Sequence, residues 1–551
     1  MKTSKLKKIC SVVMAAMLGV SVLTGCGSSN SGQSAGTNGQ EITFNLGADI
    51  KTLDPALNQA VDSAILIVNM FEGLYKLDEN QKAVPGVAES CDISEDGITY
   101  TFHLRSDAKW TNGNNVTAGD FEYAWKRVMN PNTAAEYAYQ MAYIKGATEY
   151  TAGEGSVDDV GVKALDDQTL EVTLTAPCAY FLELTAFPCY LPVEKSTVES
   201  NEQWANTADT YVSNGPFKLT DYKIKDQVVL EKNDTYYGKD SVKLDKINVK
   251  FVADETSAWA SYEAGQFDMV YIVPQSKVQE ASKEGTAQIY PFLSNYYLSI
   301  NMTDSLQGID PEAAKALSNP KVRKALNLAV DRNSLVENVT KGGQVAAHSF
   351  VPTGIKQPDG QDFASKEYFN SKGNVEEAKK LLAEAGYPDG QGFPSITILY
   401  NPEKGHGNVM QAVQDMWKTN LGIDVQLQSQ EWKVFISTRN EKNYEIARDA
   451  WGADYVDPMT FLDMLQTTSG QNNSGYSNPE YDKVIDAVRN EQDATKRFEL
   501  FRQAEDILME DMPVIPLYYD TQPMGVKSYI KDLNVSPLGF IYFDKAYIEG
   551  K

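Results

Sequence analysis

The feature that most constrains this 551-residue chain is at its beginning. Lys2, Lys5, Lys7 and Lys8 precede an apolar run from Ile9 to Leu23, which is short of the roughly 20 residues a bilayer span needs but suits the apolar part of an export signal. The run ends in Leu23-Thr24-Gly25-Cys26, followed by GSSNSGQSAGTNGQ up to Gln40. Residues 1–25 are therefore expected to be a lipoprotein signal peptide, resembling the bacterial lipobox, with Cys26 lipidated. Residues 26–40 carry no side chain able to build a core and are expected to form a flexible tether. Two acyl chains anchor a protein stably where one does not. Everything after Gln40 must then fold outside the cytoplasm.

Five cysteines are present, and Cys10 and Cys26 fall in the leader and lipobox, which leaves Cys91, Cys178 and Cys189. An odd number excludes a complete disulfide framework, and Cys178 with Cys189 could either pair or stay as buried thiols. The chain has 50 Lys+Arg against 75 Asp+Glu, a net charge of −25. No nucleic-acid partner is expected of so acidic a chain.

From Glu41 onward there is no second apolar stretch of membrane-spanning length and no short repeat. Strict alternation in 98–104 and 170–174 predicts half-buried antiparallel strands. Asn319-Pro320 supplies a cap and a first-turn proline for a helix whose Val322, Ala325, Leu326, Ala329 and Val330 form one stripe. Asn374 with Glu377 opens a second helix, closed by Gly386 and Pro388. Strands and helices alternate throughout, so the fold class is mixed α/β.

Catalytic and metal motifs are sparse. There is no phosphate loop, no HExxH and no Cys/His cluster with metal spacing, and only His103, His348 and His406 exist. No metal and no cofactor are expected. His103 falls on the polar phase of a strand and reads as solvated. The match of Gly32–Gly36 to a GxSxG elbow lies in the tether, without the strand and helix that motif requires. With 75 acids, paired-carboxylate hydrolysis is not excluded by motif, so a secreted hydrolase stays as an alternative. Thirty tyrosines and seven tryptophans suggest ligand contacts that combine apolar area with a polar tip. Trp432, Trp451, Tyr455, Tyr518 and Tyr519 stand out among them.

The stretch Ser94-Glu95-Asp96-Gly97 through TYTFHLRSDAKWTNGNNVTAGDFEYAWKR resembles the signature of the family-5 extracellular solute-binding proteins, the oligopeptide-, dipeptide- and nickel-binding subunits of ABC importers. The resemblance continues through GVKALDDQTLEVTLTAP, SNGPF at 213–217, LEKNDTYY, KVRKALNLAVDR, EEAKKLLAEAGYP and WGADY at 451–455. It covers the chain from Ile42 to the end and is nearest to the oligopeptide-binding members.

The resemblance implies no enzyme but a two-lobed clamp of the periplasmic-binding-protein type (class II), with an extra third domain, that engulfs its ligand about a hinge. Lobe I would comprise 41–72, 198–299 and 514–551, domain II 73–197, and lobe II (domain III) 300–513. It also implies an oligopeptide ligand held as an extended strand, with Asp454 meeting the α-ammonium. Arg448 and His406 would read the peptide carboxylate, and Trp432, Trp451 and Tyr518 would wall side-chain pockets. Read without the family, Asp454 is a surface or capping aspartate, Arg448 an internal ion pair with Asp449, and His406 a solvated loop residue. Gln59 stands where close relatives carry a glutamate, and Gly452 where enteric ones carry a cysteine. The expected partners are the peptide, the permease subunits of an ABC importer with their ATPases behind them, and the membrane through the lipid anchor. A monomer is expected at the outer face of a cell membrane, and the lipobox and tether favour a Gram-positive surface. The same clamp around an oligosaccharide, a metal chelate or a signalling peptide is the alternative.

Overall fold

In the computed structural model, residues 39–402 and 405–551 are described. The signal, the lipobox with Cys26, the Gly32–Gly36 motif and almost all of the tether lie outside these residues. Gln40–Lys551 forms one unit of contacts. The strands that matter here are β1 (Glu41–Asn45), β2 (Ala88–Ile93), β3 (Thr99–Leu104), β4 (Val162–Asp166), β5 (Thr169–Thr173), β6 (Phe217–Lys223), β7 (Gln227–Lys232), β8 (Lys246–Lys250), β9 (Met269–Val270), β10 (Ala287–Ile300), β11 (Ile396–Tyr400), β12 (Val425–Ser429), β13 (Ile446–Gly452) and β14 (Val514–Val526). The helices are α1 (Ala118–Met129), α2 (Pro320–Leu328), α3 (Val375–Glu384), α4 (His406–Leu421), α5 (Trp432–Asn440), α6 (Pro479–Asn490) and α7 (Ala494–Asp511).

Ten of these strands form one mixed sheet in the order β12-β11-β13-β10-β14-β9-β1-β8-β7-β6, with the short strand Val345–Ala346 added against β14. The strands β2-β3-β5-β4 make a separate four-stranded sheet within residues 88–173. There the predicted alternation holds. In β3, Tyr100, Phe102 and Leu104 are buried, and the residues between them are only partly so. Its neighbour β5 repeats the pattern with Leu170 and Val172. His103 takes the outward phase, where it is not merely solvated: its Nε2 and Asp92 Oδ2 are within hydrogen-bond distance at 2.8 Å.

The predicted helices are present with their caps. The side chain of Asn319 accepts the amide of Lys321 ahead of Pro320, and Val322, Ala325 and Leu326 are fully buried on α2. Asn374 accepts the amide of Glu377, and α3 buries Ala378 and Leu382.

The long family signature is scaffold. Trp110 and Trp125 are fully buried, Trp110 donates to Asp120 Oδ2 at 3.2 Å, and Asp120 closes a capping box with Thr117 at the start of α1. Arg127 forms a two-point pair with Asp54 at 2.9 and 2.6 Å. In the SNGPF stretch, Asn214 both accepts from and donates to the backbone of Glu72. A Cβ on Gly215 would meet the carbonyl carbon of Met70 at 2.5 Å, so only glycine allows the two segments to touch.

Strands β10 and β14 dominate the sheet. The second half of β10, LSNYYLSI, is buried throughout, as expected of a strand covered on both faces. Their pairing shifts register twice, once between Tyr296 and Tyr297, where Leu517 is skipped, and more widely before it: Pro291 lies opposite Thr521, but the next pair is Asn295 opposite Tyr519, leaving Phe292, Leu293 and Ser294 facing Asp520 alone. Proline cannot donate to the ladder, and a bulge of this kind re-aims backbone and side chains.

Cys91, Cys178 and Cys189 are free, which decides the open question of Cys178 and Cys189 against pairing. Burial raises the thiols of Cys91 and Cys178 to about 12. We expect the body from Glu41 onward to take up three equivalents of maleimide without reductant once unfolded, and fewer than one at pH 7.5 while folded. A mass count of adducts checks this, and only one adduct after unfolding would show a disulfide.

Candidate functional site

Strand β13 carries the centre of the site. Successive side chains of a strand point to opposite faces, so Arg448 and Ala450 share one face and Asp449 and Trp451 the other. The consequence corrects the ion-pair reading of Arg448. Asp449 is bound by Arg439 of α5 and by Asn473 at 2.9 Å. Arg448 instead turns to a cavity of about 670 Å³, donates its Nε hydrogen to Asn401 Oδ1 at 2.6 Å, and lies over the rings of Trp432 (5.3 Å) and Phe435 (4.9 Å). Burial pulls its pKa below the usual arginine value.

The same cavity gathers His406, Trp432 and Tyr518. His406 is not in a solvated loop. It is the first residue of α4, half-buried, stacked on Tyr296, with its Nδ1 and the Tyr296 hydroxyl 3.0 Å apart. Tyr518 stacks on Tyr296 with centroids 4.6 Å apart because β14 and β10 pair these two residues directly. Trp432 opens α5 and is 45% exposed, so its indole is open to whatever enters the cavity. Phe292, freed by the bulge, completes the wall.

Asp454 lies just beyond β13, beside a second cavity of about 430 Å³ that also contains Trp451. The bulge holds it there: the carbonyl of Leu293 accepts the amide of Ala453 at 2.7 Å. Asp454 donates its own amide to Thr460 Oγ1 at 3.2 Å, and its carboxylate accepts from the Tyr139 hydroxyl at 3.2 Å. Among the described residues no lysine or arginine ion-pairs with it. Burial pushes its carboxyl up to about 7; the Tyr139 hydrogen bond pulls the other way and the charge of Asp463 adds to the rise. A carboxylate so placed is short of one cation.

The six candidates thus fall into two groups: Arg448, His406, Trp432 and Tyr518 around one cavity, Asp454 and Trp451 around the other. Gln59 and Gly452 line neither. Sequence reading missed Tyr139, Tyr143, Tyr296 and Asn401. The first two belong to the tyrosine-rich stretch YAYQMAY at 137–143, the one local signal that could have pointed to them.

Two cavities joined by one strand, with a guanidinium toward one end and an uncompensated carboxylate at the other, are arranged to hold a ligand that carries both charges, and the family to which the chain belongs is one of binding proteins, not enzymes. The chain belongs to the bacterial extracellular solute-binding proteins, family 5, whose model matches residues 82–473. It is 38% identical to the oligopeptide-binding protein OppA of Bacillus subtilis (strain 168), over 99% of this chain and 100% of that one. Haemophilus influenzae OppA, solved in complex with the peptide RPPGFSPFR, superposes with a TM-score of 0.73 at 34% identity, covering 93% of this chain and 99% of that one. Listeria monocytogenes OppA bound to peptide gives 0.75 at 31% identity, covering 94% and 100%. Family members of this kind are multi-domain, two-lobed clamps, and this chain shares that fold. Among the described residues no helix is long and apolar enough to cross a membrane.

Proposed function

We propose that this protein captures oligopeptides outside the cell and delivers them to the permease of an ABC importer. The observation that carries the reading is Asp454, a half-buried carboxylate without a cationic partner among the described residues, six residues along the chain from the buried guanidinium of Arg448 and just past the end of its strand. Six extended residues cover at most about 20 Å. An extended peptide of about that length would place its α-ammonium on Asp454 and its carboxylate near Arg448 or His406, so both charges would be met rather than stranded. Arginine suits two-point carboxylate binding, and His406 contributes fully only when protonated.

Domain closure captures the peptide, because a ligand drives closure by binding the closed state better than the open one. The division into 41–72, 198–299 and 514–551, 73–197, and 300–513 is part of this proposal. It is supported by β10 ending at Ile300, β14 starting at Val514, and a four-stranded sheet confined to 88–173. The hinge would then be β10 and β14 themselves, whose pairing is broken at 292–294. Anchoring through lipidated Cys26, a monomeric state, and a place on the outer face of a Gram-positive membrane complete the proposal and rest on the sequence.

Native mass spectrometry of the soluble body from Glu41 onward, purified from rich medium, tests it. A ladder of short peptides carried at one per protein is expected. An empty protein, or one carrying a sugar or metal chelate, would overturn the peptide assignment.

A further inference from the structure

The cavity beside Asp454 is larger than one ammonium needs. Beyond Asp454 its wall is built by Asp463, Gln466 and Gln471, which follow soon after β13 in the chain, and by Arg489 of α6, with Tyr139 and Tyr143 also lining it. Asp463 is poorly compensated there. Its nearest cation, Arg489 Nη2, is 3.8 Å away, beyond hydrogen-bond range, while Nη1 of the same guanidinium is committed to Asp486 at 3.0 Å. Arg489 is also 37% exposed, so water screens what attraction remains. The Asp463 side chain is 27% exposed, and the cavity gives a ligand access to it. Burial raises its carboxyl to about 6, with the charge of Arg489 holding it back and that of Asp457 adding to the rise, so it is mostly charged at pH 7 and fully so at pH 8. Aromatic faces and a half-compensated carboxylate favour the same kind of guest, a cation on a flexible apolar stem.

We propose that this cavity is the subsite for the first side chain of the bound peptide, and that Asp463 makes it select a cationic one, lysine, ornithine or arginine. The inference rests on the proposed contact between Asp454 and the α-ammonium, which fixes where the first residue lies. With that ammonium on Asp454, the first side chain has the adjacent 430 Å³ to enter, and its charge would meet Asp463 between the tyrosines. The subsite then contains two carboxylates for two ligand cations, with Arg489 left to Asp486. Asp463 acts as a specificity residue: it contributes to ligands that carry the second cation and little to those that do not.

Calorimetric titration at pH 8 with tetra-alanine, and with the same peptide carrying lysine or norleucine at position one or lysine at position two, tests this. The lysine-first peptide is expected to bind at least about tenfold tighter than the norleucine-first one, and lysine at position two to give no such gain. Asp463→Asn should abolish the gain while leaving tetra-alanine within twofold, and Arg489→Gln should widen it. Because the wild-type comparison needs no variant, poor folding of either mutant cannot hide the answer. Equal binding of lysine-first and norleucine-first peptides, or a gain that survives Asp463→Asn, overturns the proposal. Acetylated tetra-alanine separates this failure from failure of the ammonium contact. If acetylation leaves affinity unchanged, the role of Asp454 is wrong; if it destroys binding but lysine brings no gain, only the Asp463 subsite is wrong. Binding by none of the peptides overturns both.

Discussion

Replacing Asp454 by Asn is expected to weaken binding of a free-amine tetrapeptide by at least about 30-fold, or roughly 2 kcal/mol, because removing one partner of an enclosed charge pair leaves the other desolvated and unmatched. The substitution keeps the shape of the side chain and its hydrogen bond with Tyr139, so geometry is preserved while charge is lost. Acetylating the peptide should cost a similar amount, and the two changes together little more than either alone. Binding to the unaltered protein should also weaken as pH falls below about 7, by up to tenfold per unit, since the ammonium needs the ionised carboxylate and that group sits near 7 in the free protein. Stability moves the other way. The folded-state value lies above the ordinary 3.8, so between about pH 4 and 7 the folded protein holds a proton that the unfolded chain has released, and stability falls as pH rises through that window. Asp454→Asn removes this cost, and the variant should melt no lower than the parent at pH 8. Calorimetry and thermal unfolding together separate a lost contact from a damaged fold. Unchanged affinity in a folded variant would end the ammonium reading.

The second large effect is on the fold that holds Asp454 in place. Three residues further on, Asp457 forms a two-point pair with Arg497 of α7 at 2.7 and 2.9 Å, with both side chains less than one-tenth exposed. Asp457 also accepts the amide of Met459, and the Arg497 guanidinium lies over the rings of Phe501 and Tyr180. Arg497→Leu would leave a buried carboxylate with no counter-ion, and the expected destabilisation is about 3–5 kcal/mol. Adding Asp457→Asn should recover a substantial part of it, because no charge then stays buried. Urea unfolding of the two variants and the parent checks both statements. A loss below about 1 kcal/mol for Arg497→Leu would mean that water reaches Asp457 and that the pair does not clamp this segment.

Reading the chain by period and cap located β3, β5, α2 and α3, since each depends on contacts within a few residues: alternation in a strand, a stripe and a side-chain cap in a helix. The family signature was legible for a related reason. Its tryptophans, its capping box and Gly215 meet packing demands that few residue types satisfy. The site was only half legible. Arg448, His406, Trp432, Tyr518, Asp454 and Trp451 were reached through resemblance, and nothing local said that they would divide between two cavities.

That division comes from register. Asp449 could not pair with Arg448 because adjacent strand residues point apart, and Arg439 reached it from a neighbouring helix. The bulge at 292–294 depends on how β10 meets β14, more than 200 positions later, and it fixes both Phe292 and the backbone before Asp454. Tyr139 finds Asp454 across 315 residues. The thiols of Cys178 and Cys189 are only eleven residues apart, yet the fold keeps them unbonded. The sequence by itself determined the mixed α/β class and the local elements, because these are written in composition and short-range spacing. Which charges stay uncompensated, and therefore await a ligand, was decided only by the tertiary structure, because compensation depends on partners that chain separation conceals.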